Sequence, residues 1–142
     1  MGLDMYAYCA TRAGAQNDWY EDAQFDPEAR EYVNPNKEKP REIAYWRKHP
    51  NLHGWMEKLW VEKMQAEGRD DPHTFNGIEL ELTWEDLDRL EYVINNGLLP
   101  GTSGFFFGDN ADELYKDRDL EFIKNARAEL FCGLKVFYNS SW

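Results

Sequence analysis

Leu3, Met5, Ala7 and Cys9 alternate with Asp4, Tyr6, Tyr8 and Ala10, the period of a strand with one face in a core. Tyr6 and Tyr8 share its other face, which reads as a half-covered sheet surface or as a platform for a stacked ligand. From Thr11 to Lys39 the pattern dissolves into Asn, Asp, Glu, Gln and Gly, with Pro27, Pro35 and then Pro40. This is a long acidic loop excursion at about residues 13–40. Trp19, Tyr20, Phe25, Tyr32 and Val33 within it predict a segment folded back over the domain as a flap.

The run from Arg41 to Lys48 predicts a short helix stopping near His49, because Pro50 biases its predecessor away from helical backbone. Pro50 suits the first position of the next helix. There Leu52, Trp55 or Met56, Leu59 or Trp60, and Lys63 or Met64 recur at three and four residues, up to Gly68. Ile78, Leu80 and Leu82 alternate with Glu79 and Glu81 as a strand with one wet face. Thr83 then caps a helix, with Asp86 three residues on and Leu82 placed to staple against Leu87. That helix buries Leu87, Leu90, Val93 and Ile94 and ends at Gly97.

Leu98 to Asn110 is a glycine-rich loop centred on Thr102-Ser103-Gly104-Phe105-Phe106-Phe107-Gly108. Asp109 or Asn110 caps a last long helix, whose face carries Tyr115, Phe122, Ile123, Ala126 and Leu130 and which stops at Gly133. Leu134 to Asn139 is a final strand. Strands are few and do not alternate strictly with helices. The expected fold is therefore α+β: a small, mainly antiparallel sheet, its N- and C-terminal strands paired, packed against three or four helices.

At 142 residues the chain fits a single domain, residues 1–142. Its 27 acidic and 16 basic residues leave a formal net charge of −11, which repels phosphate backbones and argues against direct nucleic-acid binding. The same charge suits a basic protein partner or imitation of nucleic acid. No basic, apolar leader opens the sequence and no apolar run reaches the roughly 18 residues needed to cross a bilayer, so a cytoplasmic protein without a membrane role is expected. Cys9 and Cys132 read as free thiols.

Four local patterns, Gly2 to Tyr6, Tyr45 to Trp55, Leu98 to Gly108 and Tyr138 to Trp142, are jointly specific. The opening Gly-Leu-Asp-Met-Tyr, Tyr-Trp-Arg-Lys followed by an apolar-His-x-Trp, Ser-Gly-Phe-Phe-Phe-Gly, and the closing Tyr-x-Ser-Ser-Trp together resemble a family of small proteins carried mainly by bacteriophages and prophages. The family's activity is not established. Its frequent label, phosphoglycerate kinase, does not suit a chain this short that lacks nucleotide-binding features. The resemblance implies a phage product acting inside a bacterium on host defence or metabolism. The acidic segment departs from the family pattern.

The chemistry concentrates between Ile43 and Met56. Arg47 and Lys48 can engage phosphate or carboxylate, Trp46 or Trp55 can stack a base, and His53 can exchange a proton. The expected ligand site comprises Tyr45, Trp46, Arg47, Lys48, His53 and Trp55, with Thr102 and Ser103 at its mouth and Trp142 opposite. Each residue alone also has a structural reading, the tryptophans as core and the cations as partners of surface acids. His49 and His53 have zinc spacing, but Pro50 interrupts the turn and no cysteine pair completes a shell. Asp109, Asp112 and Glu113 read as helix-dipole acids rather than magnesium ligands. No catalytic set, metal or cofactor is expected.

Three functions follow. The first is capture of a small anionic, nucleotide-like host molecule, and the second an acidic inhibitor that docks on a host protein through the excursion. The third and weaker is a small nucleotide-directed enzyme with His53 as general base and Arg47 as oxyanion support.

Overall fold

The computed structural model describes residues 2–69, 74–100 and 112–142. Strand β1 (Asp4–Ala10) lies at the centre of the sheet. It runs antiparallel to the last strand, β6 (Lys135–Ser141), on one side and to β4 (Arg41–Arg47) on the other. A short strand β5 (Leu80–Leu82) pairs with β6, which gives the order β4-β1-β6-β5. The fold is α+β and antiparallel, and the two terminal strands pair as their patterns predict.

Alternation along β1 divides the sheet into two environments. Leu3, Met5, Ala7 and Cys9 join Val136, Tyr138, Leu80 and Leu82 on an inner face. That face is covered by Leu52, Met56 and Leu59 of helix α2 (Pro50–Ala66), Leu87, Leu90 and Ile94 of α3 (Trp84–Asn95), and Phe122, Ile123 and Ala126 of α4 (Asp112–Phe131). Helix starts follow local chemistry. Pro50 stands in the first turn of α2, and Thr83 and Asp86 form the expected capping box of α3. Lys63 of α2 reaches the same Asp86 carboxylate at 2.5 Å and so ties the two helices together.

Residues 41–47 are a strand, not the expected short helix. The run Arg-Glu-Ile-Ala-Tyr-Trp-Arg is too short for periodicity to separate the two states, and β-branched and aromatic residues suit a pleat. The free edge of β1 supplies the ladder that decides the matter. Ala44 and Trp46 stand opposite Ala7 and Met5, and Tyr45 and Arg47 opposite Tyr6 and Asp4. A bulge at Ile43 shifts the register between Ala7 and Tyr8, which brings Glu42 opposite Tyr8. On the outer edge of β4, Tyr115 donates to the Arg47 carbonyl at 2.7 Å, so α4 satisfies part of an edge that would otherwise invite pairing.

The acidic excursion is folded. Helix α1 (Ala15–Asp22) follows Gly14, whose φ of +79° turns the chain out of β1. A two-stranded hairpin, β2 (Gln24–Asp26) with β3 (Glu31–Val33), comes next. The eight-residue α1 has no hydrophobic stripe to announce it and is held by Trp19, which is buried. On the outer face of the sheet Tyr8, Ala10 and Phe137 form a second small core, packed against Tyr6 and Ala15. Glu79 clamps this layer: one carboxylate oxygen accepts from the Tyr8 hydroxyl at 2.5 Å and the other from the Gly14 amide at 2.9 Å.

Candidate functional site

The residues singled out in the sequence separate into three places. Trp46 lies inside the protein, fully buried. Its indole N–H donates to Asp119 Oδ1 at 2.8 Å, and its ring meets Phe122 edge-on at 5.0 Å. Trp55 is also a core residue. Neither offers an open ring face for a base. The other oxygen of Asp119 pairs with His49 Nε2 at 2.8 Å, and the His49 ring stacks on Tyr115. One buried carboxylate of α4 thus binds both β4 and the start of α2.

His53 and Trp142 come together on the inner face of the sheet. His53 Nδ1 shares a hydrogen bond of 2.7 Å with the Tyr138 hydroxyl, and the imidazole stacks on Phe75 and meets the Trp142 ring edge-on at 6.2 Å. The Trp142 indole N–H donates to the Phe75 carbonyl at 3.1 Å. Burial lowers the His53 pKa to about 4 and pushes the Tyr138 phenol well above its usual range. Both groups are therefore neutral at pH 7. Phe75, inside a polar, turn-rich stretch, carried no periodic signal to mark it as core.

Tyr45, Arg47 and Lys48 form a third, exposed group. The Tyr45 hydroxyl donates to Asp4 Oδ1 at 2.6 Å, and Arg47 Nε stands 4.0 Å from the same oxygen. Lys48 leaves the strand with a φ of +57°. Tyr45 and Arg47 alternate with inward-facing Trp46, so they project from the opposite face of the sheet to His53. A reaction shared by His53 as base and Arg47 as oxyanion support is thereby separated by the sheet. Thr102 and Ser103, expected at the pocket mouth, lie outside the described residues.

Two adjoining cavities open instead where the excursion meets the sheet. The first, about 320 Å³, lies where β1 runs into the excursion and the excursion returns to β4. Arg12, Lys37, Lys39 and Arg41 line it, together with the acids Asp18 and Glu38. Arg12 pairs with Asp18, Lys37 with Asp22 at 2.5 Å, and Arg41 with Glu129 at 2.5 Å. Lys39 has no carboxylate partner among the described residues, and its ammonium lies 4.9 Å from the Trp19 ring and 5.6 Å from that of Tyr20. The second cavity, about 760 Å³, is a groove on the outer sheet face whose lining includes Tyr6, Tyr20, Gln16, Asn17, Asn139 and Glu42. Lys39 and Pro40 line both.

The phenols of the groove are hydrogen-bonding groups rather than charges. Burial raises the Tyr6 pKa, and burial together with the Glu79 carboxylate raises that of Tyr8 much further. Tyr6 and Tyr8 could be placed on one face from their alternation. The cations could not be assigned a common site, because Arg12 and the Lys37–Arg41 group stand at opposite ends of the excursion and meet only when it closes.

His49 and His53 turn to different partners, Asp119 and Tyr138. Among the described residues no group of three or more His, Cys, Asp or Glu is arranged to hold a metal ion, and no helix is long and apolar enough to cross a membrane. Compared with known protein families, curated proteins and solved structures, the chain matches none.

Proposed function

We propose that this chain is a binding protein that captures a small anionic molecule in the cleft at the feet of its acidic excursion. The observation that carries the reading is the convergence of Arg12, Lys37, Lys39 and Arg41 on one cavity of a molecule whose net charge is −11. The ion pairs holding Arg12 and Lys37 are exposed and screened by solvent, so an incoming anion displaces their carboxylates at little cost. Lys39 needs no displacement at all.

The resemblance to phage proteins supports placing this capture in the cytoplasm of an infected bacterium, where removing a small anion alters host defence or metabolism. Calorimetric titration of the chain with orthophosphate, pyrophosphate, dicarboxylates and phosphorylated metabolites tests the reading. Binding is expected for one phosphate class, weakened at least about tenfold by Lys39→Ala, the loss of one charge-assisted contact. Absence of heat with every anion, or affinity indifferent to both Lys39→Ala and Arg12→Ala, refutes it.

A second reading rests on a separate observation. Phe25 and Tyr32 are 55% and 56% exposed, face each other edge-on at 5.5 Å across the β2–β3 hairpin, and have Asp26, Glu28 and Glu31 beside them in sequence. An open aromatic pair among acids suits docking on a basic host protein. Capture from bacterial lysate by wild type but not by the Phe25→Ala, Tyr32→Ala double variant is expected on this reading. Equal capture by both counts against it.

A further inference from the structure

Resting on the anion cleft proposed above, we infer that the bound anion is the phosphate of a mononucleotide whose base lies in the adjoining groove between Tyr6 and Tyr20. Lys39 and Pro40 line both cavities, so a phosphate seated on Lys39 leaves the rest of its molecule to extend over the outer sheet face. The lining of that groove selects what extends there.

Glu42 stands on the groove wall with its carboxylate. A second negative group is therefore unwelcome, and the remainder of the ligand is neutral. Gln16 and Asn17 each present an amide that both donates and accepts, the complement of the mixed donor and acceptor edge of a nucleobase. A plain hydrocarbon would leave these amides unmatched. Tyr6 is half-buried on the sheet and Tyr20 is 49% exposed on α1, so both retain ring surface for a flat partner, whereas Tyr8 is closed beneath them. Base stacking on such rings tolerates any base, while the amides set preference among them. Glu42 is placed to accept from an exocyclic amine or from ribose hydroxyls.

This explains why the ligand's rings need not involve Trp46 or Trp55. It also gives the excursion a task, since α1 contributes Gln16, Asn17 and Tyr20 while the segment returning to β4 contributes Lys39.

The test is calorimetric titration of the full chain, at physiological salt, with orthophosphate, ribose 5-phosphate, and adenosine, cytidine, guanosine and uridine monophosphates. At least one mononucleotide is expected to bind about tenfold or more tighter than ribose 5-phosphate, the gain of one stacked, hydrogen-bonded base. Gln16→Ala and Asn17→Ala, both on the surface helix, are expected to bring that mononucleotide toward the affinity of ribose 5-phosphate while leaving ribose 5-phosphate itself within about twofold. Equal affinity for ribose 5-phosphate and all four mononucleotides overturns the inference and leaves the anion cleft standing. So does an equal loss for every ligand in the two variants. No binding of any of the phosphates overturns both readings.

Discussion

Asp119 is a buried acid shared by two elements, and its removal is a direct test of the packing scheme. It is 1% exposed and serves the Trp46 indole and His49 Nε2, both at 2.8 Å, and both from residues that are themselves fully buried. Asp119→Ala leaves two polar groups without this acceptor in a site that water does not reach. Breaking a buried, hydrogen-bonded pair of this kind costs about 3–5 kcal/mol, against a total stability of about 5–15 kcal/mol for a domain. Asp119→Asn retains one acceptor oxygen and turns an amide N–H toward the other donor, so about 1–3 kcal/mol is expected.

The assay is urea unfolding followed by far-UV circular dichroism, with the midpoint falling and the slope unchanged. The pairwise part comes from a double-mutant cycle with Trp46→Phe, which deletes the indole N–H while keeping an aromatic ring against Phe122. A coupling energy of about 1 kcal/mol or more is expected, since residues sharing one hydrogen bond do not act independently. A loss below about 1 kcal/mol for Asp119→Ala, or additivity of Trp46→Phe and Asp119→Asn within about 0.5 kcal/mol, would show that this carboxylate does not join β4 to α4 as described.

Other outcomes follow from the same physics. His53, with its pKa lowered from 6.5 to about 4 by burial, binds its proton more weakly folded than unfolded, so stability is complete above about pH 6.5 and declines as pH falls toward 4. The loss attributable to this imidazole is on the order of 3 kcal/mol. Unfolding free energies of wild type and His53→Leu across that window should differ in slope, and parallel curves would remove the assignment. Glu79→Ala takes the acceptor from the Tyr8 hydroxyl and Gly14 amide, so amide exchange over residues 11–40 should accelerate while the inner core keeps its protection; unchanged exchange there would show that Glu79 does not hold the excursion. Thr83→Ala, which opens the capping box of α3, should cost about 1 kcal/mol in the same urea assay, and a neutral result would discount the cap.

Much of the architecture was legible locally. Alternation at Leu3–Cys9, Pro50 ahead of a three-and-four repeat, and Thr83 with Asp86 each specify a period and a boundary within a few residues of themselves. The strand at 41–47 was not legible, because Tyr45-Trp46-Arg47 carries no decisive period and only an unfilled edge of β1 makes it extended. The same event distributes the candidate ligand residues: pleating sends Trp46 inward to Asp119 and Arg47 outward to Asp4, although they are neighbours in sequence.

What the sequence determined by itself, then, is the set of faces: which residues must leave water and with what spacing. Tertiary structure decided which distant faces meet. It brought Arg12 to Lys39 across the closed excursion, put Tyr20 of α1 and Tyr6 of β1 around one groove, and set His53 against Tyr138. The physical reason is one of range. Backbone sterics and burial act over neighbouring residues and can be read along the chain, whereas a binding site depends on the pairing of strand edges and the closure of a long loop, neither of which any local stretch encodes.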